Sequence, residues 1–138
     1  MGSLHFKILV LFILCAFNQV QAGSIDEAFK ALSQFNYFEA KKQFEKSLKS
    51  NESPANYGLA VIYFRTDNPF HHLDSAFVRI VRSEKAYGAM KEKQKETLKK
   101  YNFDYLAIEN LRKEISSGLF KIVLKKPSEE AYDQFQKN

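Results

Sequence analysis

Apolar residues recur along most of this chain at the three-and-four spacing of an amphipathic helix, and their longest unbroken run lies near the N-terminus. Ser24, with Glu27 three residues on, forms a capping box. Ile25, Ala28, Phe29, Leu32 and Phe35 then mark the inward face of a first helix. Asn36 and Tyr37 predict a brief turn, and residues 38–50 a second helix with Ala40, Phe44, Ser47 and Leu48 inward. Residues 50–54 are a break, where Ser53 reads as a cap and Pro54 as the opening of a third helix to about residue 65. Residues 66–70 predict a loop, because the residue before Pro69 resists helix. A fourth helix follows over residues 72–84, with Leu73, Ala76, Phe77, Ile80 and Val81 apolar.

The pattern then thins. Residues 90–101 are rich in Lys and Glu, with a narrow stripe at Tyr87, Met90, Gln94, Leu98 and Tyr101. This predicts a solvated amphipathic helix in which Glu96 and Lys100 pair four apart. Asp104 caps a long helix from residue 105 that carries Ile108, Leu111, Ile115, Leu119 and Ile122 on one stripe. Gly118 inside it marks close packing or a bend. Lys125 and Lys126 suit its C-terminal end, and Pro127 predicts the start of another helix over residues 129–136. That last helix, with Ala131, Tyr132 and Phe135 apolar, has no evident partner. The expectation is that the chain is the front of a longer protein; the alternative is a helix folded back on its predecessor.

The longest continuous apolar run changes the picture of where the fold begins. Residues 1–7 carry a single lysine, residues 8–17 read ILVLFILCAF, and Val20-Gln21-Ala22 sets small or aliphatic residues where a signal peptidase reads. This is the three-part layout of a secretory signal, with cleavage expected after Ala22. The run is about half the ~20 residues a spanning helix needs, which argues against a retained anchor. Cys15 lacks the small residues that precede a lipidated cysteine and is the chain's only thiol, so the mature part has no disulfide and no Cys ligand. Export points to the periplasm, the cell envelope or the outside, with the membrane met only through the uncleaved signal. The expected layout is a signal peptide at 1–22, two helical hairpins at 23–84, a degenerate helical hairpin at 85–126 and the start of a further helix at 127–138.

The chain of 138 residues holds 21 Lys and Arg against 16 Asp and Glu, a net charge of +5 that falls to +4 without Lys7. So mild a charge, spread over helix faces in an exported chain, argues against nucleic acid as a partner.

The helices repeat in pairs. Ala40 and Phe44 in the second helix correspond to Ala76 and Ile80 in the fourth, 36 residues on, a period that means stacked helical hairpins. The pattern resembles the tetratricopeptide repeat (TPR). Leu59-Ala60 and Tyr63 match that family's first-helix motif. Tyr37, Ala40, Phe44 and Ser47 match its second-helix motif, and Leu73, Ala76, Ile80 and Ser83 match it again. Glu27-Ala28 departs from the motif, there is no Trp, and the loop at residues 66–71 is long. The resemblance implies an all-α fold of antiparallel helical hairpins stacked as a short TPR-like solenoid. The exported context is similar to envelope repeat proteins of Gram-negative bacteria, in which further domains, some binding the cell wall, follow the repeats.

Little invites chemistry. His71 and His72 are adjacent, point about 100° apart on a helix and read as a loop-to-helix junction, not as a metal site. Asp26-Glu27 and Glu129-Glu130 fall in first helical turns, where they complement the dipole. No phosphate loop, nucleophile elbow or zinc-protease motif is present. No cofactor, metal or small-molecule substrate is expected, and the chain reads as no enzyme. In the resembled family the first helix of each pair lines a concave groove. Carried over, this places Phe29 and Ser33, with Ile25 and Leu32, on the wall from the first pair, and Tyr57, Val61, Phe64 and Arg65 from the second. The expected partner is a protein or peptide. The alternative is a structural spacer or docking arm of a larger envelope protein.

Overall fold

The computed structural model describes the backbone of residues 24–135 and the side chains of residues 24–124. The expected signal segment lies outside them. The described chain is all helical: α1 (Ile25–Ser33), α2 (Tyr37–Ser47), α3 (Glu52–Phe64), α4 (Leu73–Tyr87), α5 (Glu92–Leu98), a 3₁₀ turn (Lys99–Tyr101) and α6 (Tyr105–Phe135). α1 packs on α2, and α3 on α4; α3 also packs on α1 and α2, and α6 lies mainly along α4.

Local chemistry sets most helix ends. The Ser24 hydroxyl accepts the Glu27 N–H at 3.4 Å and starts α1. α1 stops in a Schellman turn: the Phe35 N–H donates to the Leu32 carbonyl at 3.0 Å and the Asn36 N–H to that of Ala31 at 2.9 Å. Phe35 takes the left-handed position, φ 59°. Its ring is therefore thrown outward, 62 % exposed, and does not join the inward face that its spacing predicts. Asn36 then caps α2 by accepting the Glu39 N–H at 3.2 Å.

The third helix begins earlier than its sequence suggests, because Ser53 does not cap it. Ser53 lies inside α3 and donates to the Ser83 carbonyl of α4 at 2.8 Å, while the Ser83 hydroxyl donates back to the Ser53 carbonyl at 2.9 Å. Two buried hydroxyls thus satisfy each other's backbones and stitch the helices together. α3 is apolar nearly all round, with Ala55, Leu59, Ala60 and Ile62 fully buried, as befits a central helix. Ala40 and Ala76, the alanines 36 apart, are also fully buried. Where α2 crosses α3, the Phe44 ring fills the space a side chain would need at Gly58: a Cβ there would lie 2.1 Å from Phe44 Cζ.

The Lys- and Glu-rich stretch is not merely a solvated helix. Leu98 is 2 % exposed, and Phe103, just ahead of α6, is fully buried. Lys100 pairs with Asp26 of α1 at 2.8 Å, not with Glu96, which takes Lys99 instead at 2.6 Å. Asp104 caps α6 as expected, accepting the Ala107 N–H at 2.8 Å. α6 then continues to Phe135 without ending ahead of Pro127. No helix among the described residues is long and apolar enough to cross a membrane.

Candidate functional site

The face where α1 and α3 meet divides into a covered part and an open part. In the covered part, residues 98–103 return across α1 and α3. Phe29, 4 % exposed, stacks on Tyr101 with ring centroids 4.8 Å apart and planes 11° apart. Tyr57 meets the edge of Phe103 at 5.3 Å, and Tyr87 of α4 closes on the same ring at 5.8 Å. The Tyr101 hydroxyl donates to Asp26 at 2.5 Å and Lys100 joins it, so the strap is tied to the first turn of α1. Lys100, then Tyr101, hold the Asp26 carboxyl below its ordinary range, and burial pushes the Tyr57 phenol up. The groove expected along Phe29 and Tyr57 is occupied here by the chain's own aromatics.

The open part lies at the C-terminal end of α3. Phe64, Arg65, Thr66, Asp67, His71 and Leu73, with Gly118 of α6 opposite, line a cleft of about 560 Å³. The loop that forms its rim is held by Asn68, whose amide donates to the carbonyls of Ile62 at 2.9 Å and Arg65 at 3.0 Å. Its side-chain oxygen accepts the Phe70 N–H at 2.8 Å. His72 caps α4, with Nδ1 accepting the Ser75 N–H at 3.1 Å, and His71 Nδ1 lies 3.1 Å from the Phe64 carbonyl. The two histidines thus serve the ends of α3 and α4. Among the described residues no three His, Cys, Asp or Glu gather as a metal site.

Arg65 organises the polar side of the cleft. Its guanidinium grips Asp67 through two bonds of 3.0 and 2.7 Å, and the Tyr37 hydroxyl donates to the same carboxylate at 3.0 and 2.9 Å. Arg65, with a smaller share from Tyr37, holds the Asp67 carboxyl down at about 2. Burial, then the carboxylate, raises the Tyr37 phenol above its ordinary value. The guanidinium also sits over the Phe35 ring, 5.1 Å from its centroid, and over Tyr37 at 5.7 Å.

The residues expected on the groove wall therefore part company. Phe64 and Arg65 line the open cleft. Phe29 and Tyr57 lie under the strap of residues 98–103. Val61 is half-buried one turn before Arg65, and Ser33 is exposed with its hydroxyl turned back to the Lys30 carbonyl at 2.8 Å. Sequence reasoning missed Asp67, Phe35 and the Gly118 wall. Asp67 had a signal, an acid two residues past Arg65 in a proline-bounded loop. Phe35 had none, since its spacing matched the buried stripe.

No family model, curated protein or solved structure matches this chain.

Proposed function

We propose that this chain is a non-catalytic, exported scaffold of TPR-like helical hairpins that holds a protein or peptide in the cleft at the C-terminal end of α3. The carrying observation is the cleft itself. Its floor is apolar, from Phe64 and Leu73, and its rim is polar, from Arg65, Thr66, Asp67 and His71. That combination suits an apolar side chain of a guest peptide whose backbone meets the rim. An exposed Phe35, kept in a left-handed position beside Arg65, extends the aromatic surface next to it. Arg and aromatic residues are also the types that dominate binding hot spots.

Thr66→Trp tests the reading, because Thr66 is exposed on the rim and a bulky ring there would fill the cleft without touching the core. Proteins from envelope extracts recovered with the wild type should be lost with Thr66→Trp and kept with Lys42→Ala on α2. Equal recovery with all three would count against the cleft.

A second reading, that of a rigid spacer within an envelope assembly, draws on the strap. Residues 98–103 fill the part of the groove along Phe29 and Tyr57 and leave the chain less room for a long guest. Recovery of no guest at all by the wild type favours this reading.

A further inference from the structure

α3 and α4 border a second cleft, of about 290 Å³, that shares no lining residue with the guest cleft. Tyr63 of α3 forms one wall. Two rows of α4 form the other: Asp74, Val78 and Arg82 at a spacing of four, and beside them Ser75 and Arg79. Most of these polar groups do nothing for the fold. Among the described residues Asp74 and Arg82 enter no ion pair, and the Tyr63 and Ser75 hydroxyls make no hydrogen bond. Arg79 is the exception. Half-buried, it donates to Asn56 Oδ1 at 3.2 Å, and the Asn56 amide is fixed in turn by donating to the Glu52 carbonyl at 2.9 Å. That bond uses one N–H of the guanidinium and holds the fork in place. Lys41 of α2, within electrostatic reach of Tyr63 and Arg79, is itself paired with Glu45 at 2.5 Å.

The charges of this cleft are separated along its length. Asp74 stands at one end, and Arg79 and Arg82 lie about 7 and 12 Å further along the helix axis. Val78, 48 % exposed, sits between them. A simple anion would suit the guanidinium end and be repelled by Asp74, and a simple cation would meet the reverse. A guest that carries both charges, one at each end, satisfies the whole cleft. We infer that it binds a short free peptide of about three residues, whose extended length of ~10 Å matches the separation of the charges. The α-carboxylate lies on the forks of Arg79 and Arg82, a planar match that guanidinium makes with two bonds. The α-ammonium lies on Asp74. The middle residue rests on Val78, with the Tyr63 and Ser75 hydroxyls within the same cleft to meet its peptide groups. An interior stretch of a longer chain carries neither end charge, so this site selects termini where the guest cleft does not. The inference is independent of that cleft.

The test is an NMR titration of the isotope-labelled full chain with trialanine, read at the backbone amides of Ser75, Val78 and Arg79. Trialanine should bind with a Kd of about 1 mM, as befits a ligand of its size. N-acetyl-trialanine and trialanine amide each lack one end charge and should bind roughly threefold or more weakly. Asp74→Asn should weaken trialanine and leave N-acetyl-trialanine unchanged. Arg82→Gln should weaken trialanine and leave trialanine amide unchanged. Both side chains are exposed, so neither variant threatens the fold. The crossed pattern ties each terminus to its own side chain, which a general change in charge would not do. Thr66→Trp, which fills the guest cleft, should leave the titration as it is. No binding, equal affinity for the blocked peptides, absence of the crossed pattern, or a loss with Thr66→Trp would each overturn the inference. So would inorganic phosphate that moves the same amides at lower concentration than trialanine and is indifferent to Asp74→Asn, since that marks a plain anion site.

Discussion

Phe35 holds φ 59° at the end of α1, a conformation that costs a residue with a side chain roughly 1 kcal/mol and glycine almost nothing. Part of that cost returns through the guanidinium of Arg65 above its ring. Phe35→Gly should therefore raise stability by roughly 0.5 kcal/mol in urea unfolding. A loss of 1 kcal/mol or more would mean the ring contributes packing beyond its contact with Arg65. Asp67 is the residue through which acid acts on the cleft. Its folded pKa of about 2 lies below the ordinary 3.8, so its contribution is complete above pH ~4 and is lost as pH falls toward ~2. Over that interval the melting temperature should drop more for wild type than for Asp67→Asn. Equal slopes would show that the carboxylate's grip on Arg65 and Tyr37 is idle.

At the scale of elements, helix packing rests on what is missing from one face as much as on what is present. Phe44 lies across Gly58, where a Cβ would fall 2.1 Å from its ring. Gly58→Ala should therefore destabilise by about 2–3 kcal/mol, although alanine is the better helix former. Thermal melts of Gly58→Ala with and without Phe44→Leu check this, since the smaller partner should return most of the loss. The helices themselves were legible in the sequence: the capping box at Ser24, the buried stripe of α2 through Ala40 and Phe44, and the Asp104 cap are local rules obeyed locally. What was not legible depended on neighbours distant in sequence. Ser53 looks like a cap and becomes a bridge because Ser83, thirty residues on, offers a buried carbonyl. Pro127 looks like a helix start, yet α6 passes through it. In the candidate site, Phe64 and Arg65 were legible from their place on α3. That Tyr101 and Phe103 cover Phe29 and Tyr57 was not legible, because nothing local to them announces it.

At the scale of the whole molecule, Phe103 acts as a common centre. It is fully buried among Phe29 of α1, Tyr57 of α3 and Tyr87 of α4, with centroids 6.3, 5.3 and 5.8 Å away. Phe103→Ala should cost about 3–5 kcal/mol, in line with loss of a core aromatic, whereas Phe38→Ala, at a residue 68 % exposed, should cost far less. Urea titration of the two variants makes the comparison. Near-equal costs would show that the strap is a surface ornament.

The strap also dictates the order in which the molecule can be finished. Tyr101 reaches back across 75 residues to Asp26, so the first helices are synthesised with the face of the Phe29 ring that Tyr101 later covers still open. Until position 103 has followed, the nascent N-terminal half shows sticky aromatic surface that a chaperone can grasp. Closure of the strap withdraws that handle, so residues 98–103 set the moment at which the chain stops being a client.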